Sequence, residues 1–266
     1  MQSTGLYIHI PFCKSRCLYC DFYSTVRSNS EERYVDALCR ELDMRKNELE
    51  GFRLQTIYLG GGTPSQLPPE LLEKLFGFID NNVCATISAD EMEVTMECNP
   101  DDVTEAFSEN LRRLPVNRVS MGAQTFNDNR LRFLRRRHCS EDLGRSVRLL
   151  RQAGIENISL DLMFGFPEET LDDVQRDIEA LLTLHVEHVS AYSLMYEEGT
   201  PLTRMMERGE VKPVDEEVSR QMYEFLADRL ADAGYEHYEI SNWAKPGFYS
   251  RHNSGYWQDV PYLGIG

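Results

Sequence analysis

Six short runs rich in β-branched and aromatic residues alternate with helical patterns between Gly5 and Tyr192, and this alternation leaves the chain few folds to choose from. The runs cover residues 5–10, 54–59, 93–96, 116–121, 155–160 and 186–192. Helical periodicity fills 30–49, 69–79, 103–111, 127–134, 140–153 and 170–184. The first helix gathers Tyr34, Val35, Leu38 and Leu42 on one face, with Ser28 and Glu31 placed for a capping box. The last turns Leu171, Val174, Ile178 and Leu182 inward, with Thr170 as N-cap and Asp173 three residues on. Strand, helix, strand units cross over right-handedly to a parallel neighbour. The chain therefore reads as α/β, with a partial TIM-like (β/α)6 barrel over residues 1–195, short of the eight units that close a full barrel. Its 266 residues, 41% of them hydrophobic, suffice for such a core.

Beyond Tyr192 the pattern changes. Helices near 201–208 and 215–233 and a strand near 235–240 suggest a small α+β extension over residues 196–266. Tyr262-Leu263-Gly264-Ile265-Gly266 reads as a strand entering a glycine loop with no helix after it, so the chain is expected to be a piece of a longer protein.

In parallel α/β folds ligands sit beyond the C-terminal ends of the strands, and the unusual residues fall there. Cys13, Cys17 and Cys20 follow the first strand, and Gly60-Gly61-Gly62-Thr63-Pro64 the second. Glu97-Cys98-Asn99-Pro100 follows the third, Gly122-Ala123-Gln124 the fourth, and Asp161 precedes Phe164-Gly165-Phe166-Pro167 after the fifth. On the first strand Leu6, Ile8 and Ile10 share one face, which leaves Tyr7 and His9 pointing into the barrel.

Three cysteines spaced CxxxCxxC can hold three corners of an iron–sulfur cube and leave the fourth iron open to a small chelating molecule. Spacing alone leaves two other readings: half of a zinc site completed by a distant His or Cys, or ordinary buried thiols. The glycine run permits close backbone approach to a ligand and reads equally as a tight turn. It is no Walker loop, because no Gly-Lys-Ser/Thr follows. Glu97, Gln124 and Asp161 are either anchors for polar groups of a cofactor or solvated side chains. Arg130, Arg132, Arg135, Arg136 and Arg137 form either a solvated face or a carboxylate-recognising cluster. His252, beside Tyr256 and Trp257, is a packed residue or a ligand; imidazole suits haem iron.

The formal charge is −16, from 28 basic and 44 acidic side chains, which disfavours a nucleic-acid partner. The seven cysteines are odd in number, and Cys39, Cys84, Cys98 and Cys139 lack framework spacing. No secretory pattern and no apolar run of ~18 residues occurs, so no membrane span and a reduced, cytoplasmic protein are expected. No Cys-x-x-Cys-His is present for covalent haem attachment.

CxxxCxxC followed by GGGTP resembles the radical S-adenosylmethionine superfamily. Tyr7-Ile8-His9-Ile10-Pro11-Phe12-Cys13, Glu97-Cys98-Asn99-Pro100, Ser120-Met121-Gly122-Ala123-Gln124-Thr125-Phe126 and Asp161-Leu162-Met163-Phe164-Gly165-Phe166-Pro167 narrow the likeness to the oxygen-independent coproporphyrinogen III oxidase family. The oxidases carry an extra cysteine two residues after the third; Phe22 stands there, in Cys20-Asp21-Phe22. With His252-Asn253-Ser254-Gly255-Tyr256-Trp257, this is similar to the HemW-type haem chaperone branch. The resemblance implies a 4Fe–4S cluster on Cys13, Cys17 and Cys20, S-adenosylmethionine beside Tyr7, Gly61 and Glu97, and haem handed to acceptors such as respiratory enzymes. In the oxidases a second S-adenosylmethionine meets residues matching Tyr19, Gly62, Thr63, Gln124, Arg136 and Asp161. Tyr19 stands where the oxidases have phenylalanine, and the same pocket can instead face a porphyrin, with Arg136 near a propionate. His252 is the candidate haem ligand, with Tyr256 and Trp257 as an apolar wall. The alternative activity is radical oxidative decarboxylation of porphyrin propionates, which Phe22 disfavours.

Overall fold

Alternating apolar and polar residues give each strand two unlike faces, and that asymmetry sets the architecture. The computed structural model describes residues 2–26, 29–83 and 92–266. Six strands, β1 (Gln2–Ile10), β2 (Phe52–Gly61), β3 (Glu93–Cys98), β4 (Arg118–Gln124), β5 (Asn157–Phe164) and β6 (His188–Ser193), lie side by side in chain order, all parallel. Between them run α1 (Glu31–Arg45), α2 (Pro69–Asn82), α3 (Glu105–Leu111), α4 (Asp128–Phe133), α5 (Ser140–Gln152) and α6 (Leu171–Leu182). This is the expected partial (β/α)6 barrel.

The remaining elements are α7 (Pro201–Glu207), α8 (Glu216–Asp232), β7 (Glu236–Glu239), β8 (Asn242–Ala244), α9 (Arg251–Trp257) and β9 (Tyr262–Ile265). They join the same sheet at both edges. β8 pairs antiparallel with β6 and β7 with β8, while β9 pairs parallel with β1. The sheet order is β7-β8-β6-β5-β4-β3-β2-β1-β9. The strand expected at 262–266 is β9. The sequence pattern did not announce β8, which is three residues long, or α9, which contains Gly255.

The outer face of the sheet is the core. Leu6, Ile8 and Ile10 of β1, Ile57 and Leu59 of β2, Val119 and Met121 of β4 and Ile158 and Leu160 of β5 are buried with Val35, Leu38 and Leu42 of α1, Leu72 and Leu75 of α2 and Ile178 of α6. The inner face is polar. Register aligns Tyr7, Tyr58, Thr95 and Arg118 in one row, and Glu97, Ser120, Ser159 and His188 in the next. A closed TIM barrel fills its interior with layers of branched apolar side chains; here the interior is left as a cavity lined by tyrosines and polar side chains.

That polarity corrects the expected strand ends. Gly60, Gly61, Glu97, Gln124 and Asp161, read as loop residues or strand stops, are the last residues of β2, β3 and β4 and the middle of β5. Polar side chains do not end a strand whose inner face looks into a cavity. β4 bulges between Gly122 and Gln124, and Gln124 takes a φ of 68°, a conformation that costs a side-chain-bearing residue energy and clusters at functional sites. At the helix starts, Thr170 accepts from the Asp173 amide and the Asp173 carboxylate accepts back from the Thr170 amide. Ser28 and Cys84 lie outside the described residues; α1 begins after Ser30 without a side-chain cap.

Candidate functional site

The cysteine loop leaves the C-terminal end of β1 and is pinned at several points. The Cys13 amide donates to Thr25 O (2.9 Å) and the Thr25 amide to Pro11 O (2.7 Å), which closes the loop at its base. Leu18, 3% exposed, is buried between the two flanking cysteines in a satellite core with Leu134, Met163, Phe166, Leu194 and Leu202. Lys14 donates to Asp102 (2.6 Å), whose other oxygen accepts from Ser65 (3.0 Å), so the loop is tied to the segment after β3.

Cys13, Cys17 and Cys20 are free, partly exposed thiols. Cys13 Sγ lies 3.5 Å from Thr63 Oγ1, and Arg136 donates from its guanidinium to Cys17 Sγ at 3.5 Å. Burial raises the Cys20 thiol above its ordinary range, and the other two thiols add to the rise. Among the described residues no three His, Cys, Asp or Glu side chains converge closely enough for one metal ion. Three accessible thiols on one anchored loop, two of them faced by a hydroxyl or a guanidinium, fit a polynuclear cluster whose corners stay further apart. Among the other described cysteines Cys39 and Cys98 are buried, and Cys139 is exposed at the start of α5.

Below this loop opens a cavity of about 530 Å³, within the size range of small-molecule and cofactor sites. Tyr7, Tyr19, Cys20, Glu97, Gln124, Asp161 and His252 all line it, so seven of the sequence-predicted residues share one wall. Gly61, Gly62, Thr63, Arg136, Cys13 and Cys17 adjoin it without lining it. Glu97 accepts from the Tyr58 hydroxyl (2.8 Å) and the Gly61 amide (3.0 Å), and Asp161 from Ser120 (3.1 Å). Burial pushes the Glu97 carboxyl up to about 7 and raises Asp161 as well. Gly61, which ends β2, and Gly62 beside it are packed closely against neighbouring protein. A Cβ on Gly61 would meet the His9 ring at 2.3 Å, and one on Gly62 the Ile10 carbonyl at 2.7 Å.

The expected arginine cluster disperses. Arg130 pairs with Glu169 (3.3 Å) and Asp173 (2.7 Å), and Arg137 with Asp101 and Asp102. Only Arg136 reaches the cysteines, where it also donates to Asn99 (2.8 Å) and Gly122 O (2.6 Å). It is thus already engaged, and not a free fork for a propionate.

α9 closes the floor of the barrel. The Glu93 carboxylate at the start of β3 accepts from the Arg251 and His252 amides (2.9 and 3.0 Å) and holds the helix there. His252 is 5% exposed. Its Nδ1 lies 2.8 Å from Thr56 Oγ1 and its Nε2 3.0 Å from the Tyr256 hydroxyl, and Tyr58 stacks on its ring at 5.1 Å. Burial, with Arg118 nearby, lowers its pKa to about 4, so the ring is neutral. Tyr256 lines the cavity as expected, whereas Trp257 is 67% exposed and lines no part of it.

Sequence reasoning missed Tyr58, Arg118, Ser120, His188 and Ser190 on the wall. Their signal was there: Arg118-Val119-Ser120-Met121-Gly122 and His188-Val189-Ser190-Ala191-Tyr192 alternate polar with apolar, as strands with one core face and one cavity face must.

A model of the Radical SAM superfamily matches residues 7–181. A Lactococcus lactis protein named "Heme chaperone HemW" is 39% identical over 266 residues, covering all of this chain and 68% of that protein. A Bacillus subtilis protein of the same name is 40% identical, covering 98% of this chain and 68% of its own length. Among solved structures, the Escherichia coli coproporphyrinogen III oxidase (HemN), described as a radical SAM enzyme, superposes with a TM-score of 0.84 at 22% identity, over 100% of this chain and 63% of that one. That likeness is one of fold.

Proposed function

The chain belongs to the radical S-adenosylmethionine superfamily and, within it, to the HemW-type family, and on that footing we propose that it is a haem-binding chaperone carrying a 4Fe–4S cluster and S-adenosylmethionine, which passes haem to acceptor proteins. The observation that carries this reading is the single cavity that joins the cysteine loop to a polar wall and an apolar lip. Phe22, Tyr192 and Met195 line the cavity and are 64%, 43% and 63% exposed. A haem needs apolar contact for its disc and polar groups for its carboxylates, and lip and wall offer both.

In this reading Cys13, Cys17 and Cys20 hold the cluster, with Thr63 and Arg136 facing two of its sulfurs. When bound, the cluster supplies an open iron site and one-electron chemistry. Tyr7, Tyr19, Glu97, Gln124 and Asp161 hold the polar parts of the small ligand, and Gly61 and Gly62 let β2 pack against β1 and keep Glu97 in place. Residues 1–195 carry the cofactors, and 196–266 close the floor and the edges. Ligation of haem iron by His252 requires the Tyr256 hydroxyl to leave Nε2. Tyr256→Phe is then expected to tighten haem binding, and His252→Ala to weaken it. No described helix is long and apolar enough to cross a membrane.

Anaerobic reconstitution is expected to give about four irons per chain, the content of one cubane, and a triple Cys13/Cys17/Cys20→Ala variant to lose them. Haem titration is expected to give a Soret band and stoichiometric uptake. Robust conversion of coproporphyrinogen III by the reconstituted protein, with reductant and S-adenosylmethionine, would replace the chaperone reading with the oxidase one.

A further inference from the structure

Arg118 opens β4 at the cavity floor, the end opposite the cysteine loop. Its side chain lines the cavity and the residue is 2% exposed. Among the described residues its guanidinium makes no hydrogen bond and no ion pair, and its Nε is enclosed without a partner. Its register neighbours repeat the pattern: Thr95 of β3 and Asn157 of β5 flank it, and Thr95 Oγ1 and Asn157 Oδ1 are likewise buried without partners. Three adjacent positions thus carry unsatisfied polar atoms, and each such buried group calls for an explanation.

The obvious counter-ions are committed elsewhere. Glu97 faces Tyr58 and Gly61, and Asp161 faces Ser120. Arg118 acts on both only through space, favouring their charged forms. The two imidazoles it disfavours from charging, His188 and His252, are held neutral. Ordered water can satisfy its N–H groups, but the charge is then met only through space by Glu97 and Asp161, and a buried cation without a hydrogen-bonded counter-ion is costly.

We propose that Arg118 is a carboxylate-recognition point at the cavity floor, which orients the ligand by pairing with one of its carboxylates. This rests on the reading above, since haem brings that group in its two propionates, whereas the amino-acid carboxylate of S-adenosylmethionine belongs at the open iron, at the other end of the cavity. A guanidinium suits it because its planar fork matches a carboxylate with two parallel hydrogen bonds.

Binding to the reconstituted chain tests this with two probes, haemin and haemin dimethyl ester. The wild type is expected to favour the free acid by roughly 10- to 100-fold, the worth of a charged hydrogen bond. Arg118→Met is expected to erase the preference, and Arg118→Lys to keep part of it. Circular dichroism and iron content check that both variants retain fold and cluster. If Arg118→Met does not fold, the wild-type preference and its reduction in Arg118→Lys decide. Equal wild-type affinity for the two, or a preference that survives unchanged in the Arg118 variants, overturns the proposal and leaves the floor a site for water only. Failure of the wild type to bind either probe overturns the chaperone reading itself, and this inference with it.

Discussion

Glu97 shows how much one buried carboxyl can reveal. Desolvation raises its pKa to about 7, the Asp161 carboxylate adds to the rise, and Tyr58, Gly61 and Arg118 oppose it. An unfolded glutamate titrates near about 4.3. Between that value and about 7 the folded chain therefore keeps a proton the unfolded chain has released, and rising pH across this window favours unfolding. Glu97→Gln in the cofactor-free protein is expected to flatten the fall in stability from pH 5 to pH 8. It should gain at pH 8, by no more than about 4 kcal/mol for a shift of this size, less the acceptor the amide loses. Urea titrations at the two pH values measure it. An unchanged slope would show that the carboxyl is not held protonated.

The elements that matter for function are those that hold the cysteine loop and the floor. Leu18 ties the loop to α4, β5 and α7 by burying one side chain between Cys17 and Tyr19. Leu18→Ala is expected to cost about 2–4 kcal/mol, seen as a lowered denaturation midpoint, and to lower iron retention under a chelator challenge. Most of this layer was legible in the sequence. The six alternating runs gave the parallel sheet, the parity of Leu6, Ile8 and Ile10 put Tyr7 inside, and the loops after the strands pointed to the cavity. Three parts were not legible, for physical reasons. Polar residues such as Asp161 looked like strand ends because a hollow barrel breaks the rule that strand interiors are apolar. The arginines looked like one cluster because chain proximity does not show that Arg130, Arg136 and Arg137 point to different carboxylates and carbonyls. His252 looked like an open donor because nothing in HNxxYW shows Thr56 from β2 reaching its second nitrogen.

At the scale of the whole molecule the charge of −16 meets a ligand that is itself anionic. The field repels a porphyrin dicarboxylate approaching through water, and added salt screens that repulsion, with a Debye length of about 10 Å at 0.1 M. The association rate of haemin is therefore expected to rise with ionic strength, the opposite of a steered encounter; stopped-flow mixing from 20 to 300 mM salt reads it, and a falling rate would place a local positive funnel at the lip. A different consequence follows from β9 lying against β1. The strand that launches the cysteine loop is made before the rest of its sheet, yet one of its edges waits for residues 262–265, more than two hundred positions later. Contacts this distant in the chain form slowly. During synthesis β1 therefore spends most of its time half-zipped, and the nascent chain has its three thiols long before it has a finished wall behind them. Metal loading thus has a natural clock: it follows the synthesis of residues 262–265, and until then the unfinished edge of β1 is a part of the chain in need of a chaperone of its own.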